Sequence, residues 1–127
     1  MHEQDMAIIK ALVPVAWSDG VYSDHEKETL EGLLAAYDAT EAEKNSILGF
    51  AAEKRTLDDI DLQELSTEDR RVLLQHAVLL TYVAGAQSAV EAQFLKDLAA
   101  KLRIPPAEAK ETMDAAEARA KSLLHLL

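Results

Sequence analysis

Cysteine is absent from this chain, and its breakers are scarce: four Gly and three Pro in 127 residues. Without a thiol there is no disulfide, no thiolate metal site and no cysteine nucleophile, and a reducing cytoplasm is the compartment this composition fits. So few Gly and Pro within long stretches rich in Ala, Leu, Glu and Lys favour an all-α protein. Basic residues are the other deficit, 13 Lys and Arg against 23 Asp and Glu, a net charge of −10. A field of that sign repels phosphates and anionic membrane, which disfavours nucleic-acid binding, and it attracts cations and protein partners with a basic surface. Long apolar runs are missing as well. None approaches the roughly 18–20 residues of a bilayer span, and the opening "MHEQDMAIIK" has no basic n-region, so neither membrane insertion nor a signal peptide is expected.

What is present suits one globular domain over residues 1–127. The apolar fraction is 49% and the charged fraction 28%, and the length suffices to bury a single core without staples. From about Glu3 to Ser18 the chain is apolar on most sides, as in a buried central helix. Pro14 lies inside it, where a missing donor and a crowded preceding turn predict a kink or an early end. A helix from about Asp24 to Tyr37 places Leu30, Leu33, Leu34 and Tyr37 on one stripe, and another runs from about Glu41 to Lys54. The acidic stretch "RTLDDIDLQELST" has no periodic face and reads as a connector, residues 55–66, with a turn or two of helix. A second helix apolar nearly all round begins near Glu68. It is followed by helices from about Ala89 to Leu102 and from "PPAEAKE", where a proline in the first turn costs no intrahelical bond.

The two halves match at a constant offset of 65 residues. Val13 falls on Val78, Trp17 on Tyr82, Gly20 on Gly85, Ser23 on Ser88, Glu26 on Glu91, Leu30 on Leu95, Leu33 on Leu98 and Glu43 on Glu108. Gapless spacing across three helices reads as two copies of a three-helix unit, residues 5–54 and 67–123, with about seven helices in all when the connector's turns are counted. Each copy alone would expose an apolar face, so the two are expected to pack around their first helices.

The densest polar stretch is "SDGVYSDHE", Ser18 to Glu26. One reading is a helix junction: Gly20 takes positive φ and stops the first helix, and Ser23 with Glu26 caps the second. "VAGAQSAVE" keeps the same stop and cap in Gly85, Ser88 and Glu91. It carries Ala84 where the first copy has Asp19, so the junction geometry does not need that acid. The other reading is an oxygen-lined cation site. Asp19, Gly20, Ser23 and Glu26 fall at the fifth, sixth, ninth and twelfth positions of an EF-hand loop, but Val15 and Trp17 stand at the first and third, which excludes a regular EF-hand. A looser site would use Asp19 and Glu26 with Asp24, and Glu91 if the two copies bring their loops together. Its ion would be hard, Ca²⁺ or Mg²⁺.

An apolar helix ending in "SDG" in the first copy and "VAG" in the second, each followed by Ser-x-x-Glu and a Leu-rich helix, in a small acidic all-helical chain, resembles the TerB-like tellurite-resistance family. It is also similar to the related N-terminal domain of membrane-anchored DnaJ-type co-chaperones. The resemblance covers about residues 5 to 123 and implies a compact all-α fold of pseudo-twofold halves, with paired acidic motifs proposed to bind metal. By residue it implies Asp19 and Glu26 in the first copy and Glu91 in the second, and Ala84 departs from the pattern. It further implies a non-enzymatic cytoplasmic domain in tellurite or metal-ion stress response. The alternative is a co-chaperone-type protein-interaction module without metal.

No catalytic constellation emerges from the other residues. The four His are not paired at zincin spacing. His25 reads as a solvated helix start and His76 as a hydrogen-bonded core imidazole. Met6 and Met113 read as core, and "DDID" and "EDRR" as solvated faces. A basic partner is expected to meet the acids of the second helix and the connector, Glu28, Glu31, Asp58, Asp59 and Asp61.

Overall fold

In a computed structural model, residues 3–18, 20, 22–83 and 89–125 are described, and they form six α-helices. These are α1 (Glu3–Ala16), α2 (Asp24–Ala36), α3 (Glu41–Ala51), α4 (Thr67–Val83), α5 (Ala89–Lys101) and α6 (Pro106–His125). No strand occurs among the described residues.

The connector holds the expected turn or two as two 3₁₀ turns, Leu57–Asp59 and Leu62–Glu64, rather than as a seventh α-helix. Its side chains explain why. Asp59 Oδ2 accepts the Thr56 amide at 2.8 Å, and Asp61 Oδ1 accepts the Gln63 amide at 3.0 Å. Short polar side chains that bond nearby backbone donors compete with the helical ladder and hold such segments in turns. Ile60 and Leu65 are nevertheless buried and anchor the connector to the core.

The α1 and α4 helices pack against each other at the centre, as their all-round apolar sequences require. Ile9, Leu12 and Val13 of α1 and Leu73, Leu74 and Val78 of α4 are at most 2% exposed. Around this pair, α2 and α3 pack on α1, while α2, α5 and α6 pack on α4. Leu30 and Leu34 of α2, Ile47 of α3, Leu98 of α5 and Ala116 of α6 complete the core. The α1 helix continues through Pro14 and ends two residues later, at Ala16, earlier than the expected Ser18.

Two helix ends have the same geometry. Asp38 (φ 56°) and Arg103 (φ 58°) occupy the left-handed region, one residue beyond the C-caps of α2 and α5. In both cases the chain closes a Schellman motif. Ala39 N–H donates to Leu34 O (2.9 Å) and Asp38 N–H to Ala35 O (3.1 Å). Ile104 N–H donates to Ala99 O (3.2 Å) and Arg103 N–H to Ala100 O (3.0 Å). Corresponding atoms are 65 residues apart. The same interval separates the starts of α2 and α5, and those of α3 and α6.

The runs expected to be solvated do structural work. Besides the Asp59 and Asp61 turns, Ser66 and Asp69 cap each other's amides at the start of α4, both at 3.1 Å. Arg70 is half-buried and donates to three carbonyls, those of Leu62 (2.9 Å), Leu65 (3.2 Å) and Leu102 (3.3 Å). Arg71 forms an ion pair with Glu108 of α6. A guanidinium has five donors in a rigid fork and can satisfy several orphan carbonyls at once. Arg70 thereby ties the connector to the end of α5.

Candidate functional site

The first helix junction is built as its sequence suggests. Gly20 has φ 82°, and a Cβ there would meet nothing within 4 Å, so backbone conformation rather than space selects glycine. Ser23 is the N-cap of α2: its Oγ accepts the Glu26 amide at 3.3 Å and donates to Glu26 Oε1 at 3.1 Å. A serine cap of this kind contributes about 1 kcal/mol. Asp19, Ala84, Gly85 and Ser88 lie outside the described residues, as does the side chain of His25. The corresponding expectations for the second junction therefore concern residues beyond those described.

Three further side chains gather at the first junction. Tyr22 stacks on Trp17, the only tryptophan, with ring centroids 5.5 Å apart and planes inclined by 22°. The Trp17 indole donates to Ala51 O at 3.0 Å and fixes the pair to α3. The Tyr22 hydroxyl oxygen is buried without a hydrogen-bond partner among the described residues, and Glu26 Oε2 is buried too. Burial, followed by the negative charges of Glu31 and then Glu26, raises the Tyr22 hydroxyl above its ordinary pKa. A phenol and two carboxylates thus share one edge of the junction. From sequence, Glu31 was expected only to meet a basic partner, and Tyr22 was given no role in the site. Their separations of four, five and nine residues carry no motif, and the turn at Gly20 returns Trp17 onto Tyr22 beside them.

Of the expected ligands, Asp24 is exposed at the first turn of α2, whereas Glu26 and Glu91 are half-buried. Among the described residues, no group of three or more His, Asp or Glu side chains is placed to hold a metal ion. Of the acids expected to meet a partner, Glu28 and Asp58 are exposed and Glu31 is half-buried. Asp59 and Asp61 also face solvent, but each has a carboxylate oxygen committed to a turn.

His76 is half-buried on α4, with Nε2 3.5 Å from the hydroxyl of Tyr37, the C-cap of α2. Burial lowers its pKa below the ordinary imidazole value, so the ring is neutral near pH 7. It borders a cleft of about 150 Å³ between α4 and α6. No helix among the described residues is long and apolar enough to cross a membrane. Comparison of the chain with protein-family models, with curated proteins and with solved structures returns no match.

Proposed function

We propose that this chain is a non-enzymatic binding domain of TerB-like architecture, two pseudo-equivalent three-helix units, that acts through the acidic junction of its first unit. The paired Schellman stops at Asp38 and Arg103 support the two-unit reading. So do the aromatic pins at the ends of α1 and α4: Trp17 donates to Ala51 O of α3, and Tyr82 Oη donates to Glu117 Oε1 of α6 at 2.9 Å. Trp17 and Tyr82 are 65 residues apart, and Ala51 and Glu117 are 66 apart.

The observation that carries the functional reading is an asymmetry of charge. Where the first unit has Asp19, Asp24, Glu28 and Glu31, the second has Ala84, Ala89, Gln93 and Lys96. The shared fold does not need the first unit's acids, and one of them, Glu31, acts on the buried Tyr22 hydroxyl together with Glu26, whose Oε2 is also buried. Oxygen ligands of this kind suit Ca²⁺ or Mg²⁺. Two or three carboxylates, with water completing the shell, fall short of the oxygen count of a tight site, so affinity belongs to the weak class, about 10⁻⁴ to 10⁻³ M. In this reading the domain serves tellurite or metal-ion stress response in the cytoplasm. Tellurite, an oxyanion, is not itself attracted to so acidic a surface.

Trp17, stacked on Tyr22, is a built-in reporter. Titration with CaCl₂ or MgCl₂ at constant ionic strength, followed by Trp17 fluorescence and by calorimetry, should saturate for the parent chain. Asp19→Asn and Glu26→Gln, which remove charge and keep size, should each weaken it. No saturable signal, or equal binding by both variants, refutes the cation reading. The exposed carboxylates of Asp24, Glu28 and Asp58 then favour the second reading, a co-chaperone-type module for a basic protein partner.

A further inference from the structure

Among the described residues, the cleft between α4 and α6 gathers hydrogen-bond donors without a carboxylate on its lining. Gln75 and His76 come from α4, Thr112 and Arg119 from α6, and Leu79 and Ala116 supply the apolar wall. In a chain of net charge −10, an acid-free lining with an arginine at its edge runs against the overall field. Glu111 beside Thr112 is exposed, and two other acids of α6 near the cleft are engaged elsewhere. One turn toward the start of α6, Glu108 pairs with Arg71. On the other side, Glu117 accepts the Tyr82 hydroxyl and pairs with Lys121 at 2.9 Å. Arg119 has alanines three and four residues before it, Ala116 and Ala115, and makes no ion pair with another described residue.

We infer that this cleft binds a small organic carboxylate, with Arg119 and Thr112 holding the carboxylate oxygens and Leu79 and Ala116 covering a short alkyl tail. The size sets the class. About 150 Å³ is below the roughly 300–1,000 Å³ of drug-sized pockets, so it admits a ligand of only a few heavy atoms. The planar guanidinium fork matches a carboxylate edge. The apolar wall favours an organic acid over an inorganic oxyanion, whose every face requires a polar partner. This site is separate from the first junction and does not depend on the cation reading.

The test is an NMR titration of the whole chain with sodium propionate at constant ionic strength, sodium chloride being the reference. The His76 ring signals, assigned through His76→Gln, and the Thr112 amide are followed. Both should shift saturably with a dissociation constant of roughly 1–10 mM, as the ligand-efficiency range allows for five heavy atoms. Acetate, one methylene shorter, should bind about two- to fourfold more weakly. Arg119→Gln should weaken propionate by about tenfold or more, and Thr112→Val, which keeps shape, by a smaller factor. Lys96→Gln, which removes one positive charge on α5, should leave binding unchanged. Shifts no larger than those in chloride overturn the proposal. Equal losses in Arg119→Gln and Lys96→Gln would mean a response to net charge only. Inorganic phosphate displacing propionate at lower concentration would overturn the carboxylate assignment.

Discussion

Replacing Arg103 by glycine should stabilise this protein, and the reason lies in its backbone rather than its contacts. Arg103 has φ 58°, where a Cβ costs roughly 1–2 kcal/mol. Glycine removes that penalty but loses more backbone entropy on folding, roughly 0.5–1 kcal/mol. The difference predicts a net gain of about 0.5–1 kcal/mol for Arg103→Gly. Asp38, at φ 56°, should gain less from Asp38→Gly, because Asp tolerates the left-handed region better than Arg does. Both side chains are exposed, so neither substitution opens the core. With an unfolding entropy of about 2.1 cal/mol/K per residue, such gains correspond to a rise in Tm of about 2–4 °C for Arg103→Gly. Calorimetry or a urea melt reads this directly. Arg103→Ala is the control, since it removes the guanidinium and keeps the Cβ, and it should leave stability nearly unchanged. A lower Tm for both glycine variants would refute the argument, and so would a gain from Arg103→Ala as large as that from Arg103→Gly.

Arg70→Lys should cost about 2 kcal/mol, because one ammonium cannot serve the carbonyls of Leu62, Leu65 and Leu102 together and orphaned acceptors lose their compensation; a urea midpoint within error of the parent would show that water serves them equally well. His76 gives a pH dependence. Its folded pKa lies below the ordinary 6.5, so between the two values the unfolded chain binds more protons. Stability is fully present above pH 6.5 and falls as pH drops from there through the lowered folded value. His76→Gln should flatten the profile between pH 5 and 7, and an unchanged slope in that variant would assign the effect to other groups.

How much of this was legible beforehand differs between backbone and site. Helix type and order followed from composition and periodicity: α1 and α4 are apolar on nearly every side, and such helices can only be central. The stop at Gly20 and the cap at Ser23 were also readable, since a single residue type performs each function locally. The left-handed stops at Asp38 and Arg103 were not, because neither carries the glycine signature and the conformation is imposed by closing the following helix onto the core. The connector misled in another way. Its acids and those opening α4 looked like a solvated surface, yet Asp59, Asp61 and Asp69 bond amides two or three residues away. Arg70 reaches carbonyls eight residues before it and thirty-two after it, a span no local pattern encodes.

Sequence alone therefore determined the helical class, the two central helices, the first junction and the sign of the electrostatic field, because each depends on residues within a turn or two of one another or on a sum over the whole chain. Tertiary structure decided which side chains meet. It stacked Trp17 on Tyr22 beside Glu26 and Glu31, set His76 against Tyr37, and gathered Thr112 and Arg119 opposite Gln75 and His76. Those encounters depend on how α2 docks on α1 and α4 and how α6 docks on α4, and docking geometry is fixed by complementary packing of distant residues, which a one-dimensional spacing does not contain.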